Sequence, residues 1–98
     1  MTVQEWLDKN KTGKVYEVIK LATLGDGQHI SIQASACHYC LPRKDRGPWT
    51  HVELGFPTFI PELVMYYCED PERPMDTVYG YVPIGLVDSL VNLHGGIV

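Results

Sequence analysis

Val15-Tyr16-Glu17-Val18-Ile19-Lys20-Leu21-Ala22-Thr23-Leu24-Gly25-Asp26-Gly27-Gln28-His29-Ile30-Ser31-Ile32-Gln33-Ala34-Ser35 is the stretch that decides the fold. Residues 15–23 are rich in β-branched and aromatic side chains. Residues 30–35 alternate apolar with polar, the period of a strand with one buried face. Between them Gly25-Asp26-Gly27 supplies turn chemistry, since glycine adopts positive φ at no steric cost. The stretch predicts a β-hairpin with strands over 15–23 and 30–35.

On its N-terminal side, Thr2-x-x-Glu5 fits a capping box, in which hydroxyl and carboxylate satisfy the free backbone donors of a helix start. Val3, Trp6 and Leu7 share one helical face, which predicts a helix over 3–10 ended by Lys11-Thr12-Gly13-Lys14. So short a helix is unstable alone, and Trp6 must dock on the body. On the C-terminal side, Trp49 to Leu54 alternates again and predicts a third strand closed by Gly55 and Pro57. Pro61-Glu62 suits a helix start, and Leu63, Val64, Tyr66 and Tyr67 carry that helix to about Cys68. Glu69 to Asp76 is an acidic loop broken by Pro71 and Pro74. Thr77 to Val82 predicts a fourth strand, with Gly80 as a bulge or a close backbone approach. Pro83 begins a last helix with an apolar stripe of Leu86, Val87, Leu90, Val91 and Leu93, and His94-Gly95 suits its end. The pattern predicts an α+β fold: an antiparallel sheet of about four strands with two to three short helices packed on it, in a single globular domain over residues 1–98.

The formal net charge of −4 is unevenly spread. Residues 1–50 carry seven basic and five acidic side chains, a sum of +2, whereas residues 51–98 carry seven acidic ones against Arg73 alone, a sum of −6. Such a chain has no overall attraction to extended nucleic acid or to an anionic membrane, although a local patch can hold a phosphate. No apolar run approaches the roughly 20 residues that span a bilayer. The N-terminal residues lack the basic and apolar regions of a secretory signal. The three cysteines are read as free thiols in a reduced, cytoplasmic protein.

Chemistry-bearing residues concentrate in Cys37-His38-Tyr39-Cys40-Leu41-Pro42-Arg43-Lys44-Asp45-Arg46-Gly47-Pro48-Trp49-Thr50-His51. Cys37-x-x-Cys40 has the spacing of half a zinc knuckle. No second half follows, so the set needs His51, Cys68 or His38 to complete it; His38 is strained by its place between the two thiols. No cofactor is expected, and zinc is the alternative. A thioredoxin-like couple wants the pair at a helix start after a strand, and Leu41-Pro42 argues against that. A Cys–His dyad is available among Cys37, Cys40, Cys68, His29, His38, His51 and His94, but no nucleophile elbow accompanies it. Glycosidase carboxylate pairs, a phosphate-cradling glycine loop and HExxH are absent. The sequence therefore reads as a non-enzyme.

Two binding surfaces remain. Arg43, Lys44 and Arg46 can bind phosphate, and Tyr39 or Trp49 can stack on a base, which would suit a small nucleotide; an ordinary exposed loop carries the same charges. The acidic loop 69–76, flanked by Tyr66, Tyr67, Tyr79 and Tyr81, offers either a protein–protein interface or core tyrosines beside a solvated loop. Tyr66, Tyr67, Glu69, Asp70 and Glu72 are the expected interface residues. An unpaired edge at Val78 to Val82 or on the hairpin would also allow a homo-oligomer.

Ser35-x-x-His38-Tyr39-Cys40-x-Pro42-Arg43, Val78-Tyr79-Gly80-Tyr81-Val82-Pro83 and His94-Gly95-Gly96 together resemble small proteins of phage and prophage gene clusters, over residues 29–97. The resemblance carries over no catalytic residue. It implies a protein that acts in a host cytoplasm by binding: it blocks a host protein or defence complex, or sequesters a signalling nucleotide. The leading expectation is an inhibitor that occludes a host protein, with nucleotide binding at residues 43–46 and a zinc-stabilised module as alternatives.

Overall fold

The capping box forms as the sequence requires. Thr2 Oγ1 accepts the Glu5 N–H at 3.1 Å, and Glu5 Oε1 accepts the Thr2 N–H at 2.7 Å. Helix α1 (Val3–Asn10) follows, with Val3, Trp6 and Leu7 buried. In the computed structural model, which describes residues 1–98, the chain continues as β1 (Ala22–Thr23), β2 (His29–Gln33), β3 (His51–Gly55), a 3₁₀ helix (Glu62–Tyr67), β4 (Val78–Pro83) and α2 (Ile84–Leu93). The four strands pair antiparallel in the order β1-β2-β3-β4, so each neighbours its sequence successor. The fold is α+β, as expected.

Strand register explains the core. Ala22 stands opposite Ile30, Ile32 opposite Leu54, Leu54 opposite Tyr79, and Val52 opposite Val82. All of these side chains are buried, in one hydrophobic core shared with Val3, Trp6 and Leu7 of α1 and Val87, Leu90 and Val91 of α2. The register slips once. One residue, Glu53, lies between Val52 and Leu54 on β3, but two, Gly80 and Tyr81, lie between Tyr79 and Val82 on β4. Side chains alternate along a strand, so Tyr79 and Val82 would face opposite ways without an extra residue. The bulge at Gly80-Tyr81 supplies it, with Tyr81 at φ 54°. Gly80 is also the close approach anticipated from sequence: a Cβ there would meet the Tyr39 Cβ at 3.2 Å.

Three elements differ from the sequence-based expectation. The strand over 15–23 shrinks to Ala22–Thr23. Glu17 folds back, accepting the Thr12 N–H at 2.9 Å and the Thr12 hydroxyl at 2.8 Å, and Tyr16 turns through φ 56°. The Gln33 side chain then takes the place of a neighbouring strand: Ile19 N–H donates to Gln33 Oε1 at 3.0 Å, and Gln33 Nε2 donates to the Ile19 carbonyl at 2.8 Å. Val15 and Val18, β-formers by type, lie exposed. Second, the element after Pro61 is a 3₁₀ helix and not an α-helix. Its six residues are too few for the α-helical ladder to outweigh the tighter i to i+3 pattern. Third, β3 begins at His51, and Trp49 precedes it as a core plug, 4% exposed.

Neither sheet edge is open. The terminal segment covers β1: Val98 N–H donates to the Thr23 carbonyl at 2.9 Å and Gly25 N–H to the Gly96 carbonyl at 2.8 Å. The other edge is covered where Glu69 N–H donates to the Val78 carbonyl at 3.1 Å and Tyr81 N–H to the Tyr39 carbonyl at 2.9 Å. The route to a homo-oligomer by strand addition, anticipated for Val78 to Val82 or the hairpin, is thus occupied from within the chain. Helix α2 ends in a Schellman motif, with Gly96 N–H to the Val91 carbonyl at 2.9 Å, Gly95 N–H to that of Asn92 at 3.2 Å, and Gly95 at φ 86°. Asp26 Oδ2 meets His94 Nδ1 at 2.6 Å, locking the hairpin turn to this terminus.

That junction is tight enough to test. A Cβ on Gly25 would lie 2.5 Å from the Gly95 carbonyl oxygen, whereas one on Gly85 in α2 meets nothing within 4 Å. Gly25→Ala is expected to destabilise by about 1–3 kcal/mol, and Gly85→Ala to stabilise by about 0.5–1 kcal/mol. Urea melts of the two variants should move in opposite directions.

Candidate functional site

The segment between β2 and β3 folds back on itself through short polar bonds. Asp45 Oδ1 accepts the Ala36 N–H at 3.0 Å and the Tyr16 N–H at 3.2 Å. Glu53 Oε1 on β3 accepts the Tyr39 N–H at 3.0 Å. Trp49 is fixed at both ends, its N–H to Gln4 Oε1 at 2.9 Å and its indole Nε1 to the Lys44 carbonyl at 3.2 Å. These bonds separate residues that the sequence places side by side.

Cys37 and Cys40 are driven apart chemically. The Cys40 thiol is buried and donates to the Ser35 carbonyl at 3.1 Å and to that of Pro42 at 3.5 Å. Burial pushes this thiol up, so it stays protonated. Cys37 is exposed and faces Ser35 Oγ at 3.1 Å and His38 Nδ1 at 3.8 Å. His51 Nδ1 is 2.8 Å from the Thr50 hydroxyl. No three His, Cys, Asp or Glu side chains gather as a ligand set. The Cys40 sulfur lies against backbone carbonyls, the Cys37 sulfur against Ser35 and His38, and the His51 imidazole against Thr50.

The basic cluster is also divided. The Arg43 guanidinium sits 5.7 Å from the centroid of the Tyr39 ring, which is itself 5.7 Å from that of Tyr81. Arg46 instead lies against Gly13 and lines a cleft of about 330 Å³ with Asp8, Lys11, Thr12, Asp45, Gly47 and Trp49. Trp49, expected to stack on a base, is core. Its ring supports Lys11, whose buried ammonium lies 5.6 Å from the ring centroid and 3.6 Å from Glu17 Oε1, with no hydrogen-bond partner. Two carboxylates offset the two cations of the cleft, so it presents no net positive charge to a phosphate. Tyr39, Arg43 and Lys44 take no part in it.

The acidic surface does assemble. In a 3₁₀ helix residues three apart eclipse, so Leu63 and Tyr66 form one row while Val64 and Tyr67 form another. Val64 is buried and Tyr67 packs on the core, whereas Leu63 is exposed and Tyr66 is 91% exposed. Exposed Ile60 lies just ahead in the same spacing. Tyr66 and Tyr67 meet edge to face, their centroids 5.1 Å apart. Glu69, Asp70 and Glu72 are exposed beside them, on a loop ordered by its own bonds: Arg73 N–H to the Asp70 carbonyl and Asp76 N–H to that of Arg73, each 2.9 Å. The buried Tyr79 pins the loop from below, donating its hydroxyl to the Pro74 carbonyl at 2.6 Å. Ile60, Met75 and Pro74 line an open cleft of about 360 Å³ with Glu72, Arg73 and Asp76.

Of the expected interface residues, Tyr66, Glu69, Asp70 and Glu72 lie on the surface, and Tyr67 is half-buried. Sequence reasoning passed over Ile60, Leu63 and Met75, the apolar part of this face; the spacing Ile60-x-x-Leu63-x-x-Tyr66 signals it once the helix is known to repeat every three residues. It also passed over Ser35 as the group joining Cys37 to His38. No protein-family model matches the chain, and no curated protein or solved structure matches it either.

Two outcomes test this geometry. Tyr79→Phe leaves the Pro74 carbonyl without its donor and should cost about 1–2 kcal/mol, with faster amide exchange at Arg73 and Asp76 as the local sign. Acidification should destabilise the protein in two stages. Burial holds His38 below its ordinary value, against the pull of Glu53 and Asp45, so the fold prefers it neutral. That stability is complete above the unfolded value of about 6.5 and declines as pH falls below it. The Ala36 N–H on Asp45, His94 on Asp26, and Thr2 and Thr12 on Glu5 and Glu17 hold these carboxylates below their usual range. Their share is present above about 4 and lost as pH falls through the folded values. Melting temperature against pH should show a shallow decline and then a steep one, and His38→Gln should remove only the first.

Proposed function

We propose that this chain is a non-enzymatic binding protein that occludes the surface of a partner protein. The docking surface is the exposed row Ile60, Leu63 and Tyr66 with the acidic loop beside it. The observation that carries the reading is Tyr66: a large aromatic ring, 91% exposed, on a helix anchored to the core by buried Val64 and half-buried Tyr67. Aromatic side chains of this kind dominate interface energetics when a partner covers them. The neighbouring loop is already hydrogen-bonded, so little ordering entropy opposes binding.

Charge selects the partner. Exposed Glu62, Glu69, Asp70, Glu72 and Asp76 lie in the helix and the loop that follows it, against Arg73 alone. A complementary protein presents lysine and arginine around an apolar recess, and electrostatic steering accelerates the encounter. The resemblance to phage and prophage proteins makes a host protein the partner class and inhibition by occlusion the mode of action. The small-nucleotide alternative has less support, because Trp49 is in the core and Arg46 and Arg43 serve different neighbourhoods.

Immobilised wild type should recover one stoichiometric basic partner from host lysate. Tyr66→Ala should weaken that complex by about 2 kcal/mol, roughly 30-fold, while shifting fold stability by no more than about 0.5 kcal/mol. Glu69→Lys with Glu72→Lys should weaken it further and flatten its salt dependence, and Tyr16→Ala, another exposed tyrosine, should leave it intact. Recovery of no stoichiometric partner, or equal recovery by Tyr66→Ala, removes the proposal.

A further inference from the structure

Ser35, Cys37 and His38 form a second cluster, which the docking surface does not use. Ser35 and His38 are buried and Cys37 is exposed. Ser35 Oγ stands 2.6 Å from His38 Nδ1 and 3.1 Å from Cys37 Sγ, and it accepts the Cys37 N–H at 3.2 Å. Cys37 Sγ is 3.8 Å from the same imidazole nitrogen. The backbone bond holds the sulfur over the hydroxyl, and the hydroxyl connects it to a buried base. A nucleophile, a relay and a proton acceptor thus meet in one triangle, with the exposed residue supplying the nucleophile.

We propose that Cys37 is a thiol-exchange site, at which a low-molecular-weight disulfide of the glutathione class becomes attached to the protein. Ser35 donates its proton to His38 Nδ1 as it accepts that of the Cys37 thiol. The Cys37 sulfur attacks one sulfur of the small disulfide; a new S–S bond forms as the old one breaks. The departing thiolate is protonated at the expense of the His38 imidazolium. One thiol and one disulfide enter, one thiol and one mixed disulfide leave, and the small disulfide is the only oxidant required.

The other two cysteines set the contrast. Cys40 is buried with its thiol against backbone carbonyls, and Cys68 is half-buried beside the Tyr79 hydroxyl, with no imidazole bonded to its sulfur. Burial also keeps His38 below its ordinary value, which leaves the imidazole neutral and able to take a proton at neutral pH.

The probe is oxidised glutathione at near-neutral pH, with adducts mapped by peptide mass spectrometry. In the folded wild type, Cys37 should be the first residue modified, at least about tenfold faster than the same residue in the urea-unfolded chain. Ser35→Ala should lower the Cys37 rate by about tenfold and leave the slower Cys68 rate unchanged. Folded Cys37 reacting less than about tenfold faster than unfolded overturns the proposal and needs no variant. So does a Ser35→Ala protein, still folded by circular dichroism, that reacts at the wild-type rate. Partner capture through Tyr66 is a separate readout, so either proposal can fail without the other.

Discussion

The extra residue at Gly80-Tyr81 is the constraint on which the rest of the structure depends. Because it restores the alternation of β4, Tyr79 and Val82 both reach the core across a single strand. Tyr79 then carries its hydroxyl through the sheet layer to the Pro74 carbonyl and fixes the acidic loop. On the far side of the bulge, the Tyr81 N–H captures the Tyr39 carbonyl, and Gly80 leaves room for the Tyr39 side chain. Tyr39 anchors the segment that contains Cys37 and His38. One irregularity in one strand therefore positions the proposed docking surface and the thiol cluster together. A positive φ at Tyr81, a non-glycine residue, costs about 1–3 kcal/mol, and it persists because pairing on both sides of β4 determines it.

Much of this was legible in the sequence where local rules act alone. The capping box at Thr2 and Glu5, the turn at Gly25-Asp26-Gly27, the helix end at His94-Gly95 and the antiparallel sheet all followed from residue type and period. The first strand did not. Val15, Val18 and Ile19 have β-propensity, but propensity for a sheet is expressed only where a partner strand is present. Here the partner position is taken by the Gln33 side chain, a contact across 14 residues that no local pattern announces. The 3₁₀ helix was missed for a related reason: the apolar period of Glu62–Tyr67 is too short to separate three from 3.6 residues per turn.

The candidate sites divide along the same line. The acidic face was readable because charge and tyrosine content are properties of composition. The basic cluster was misleading because adjacency in sequence is not adjacency in space. Arg43 and Arg46 are three residues apart, yet one rests on Tyr39 and the other on Gly13. Trp49 looks like a stacking platform in isolation, but a small domain with few large apolar residues puts its tryptophans into the core first. The CxxC spacing likewise says nothing of the different surroundings of its two thiols: Cys40 lies against the Ser35 and Pro42 carbonyls, and Cys37 against Ser35 Oγ and His38.

Covered edges narrow the way this chain can meet another. With β1 bonded to Val98, the turn after it to Gly96, and β4 to Tyr39 and Glu69, both outer strands already have backbone partners within the chain. The proposed recognition therefore rests on side chains, and side-chain recognition needs a large anchor held against a rigid support. The Leu63–Tyr66 row has that support, because Val64 and half-buried Tyr67 of the same helix pack on the core and the loop beside it is bonded to the sheet through Tyr79 and Glu69. Val15 and Val18 are comparably apolar and exposed, yet they stand on a stretch tied mainly by Glu17, Gln33 and Asp45 side chains. A partner gains less from such a stretch, since each contact must first offset the entropy of holding it still. Rigidity, more than apolar area, is what singles out the acidic face.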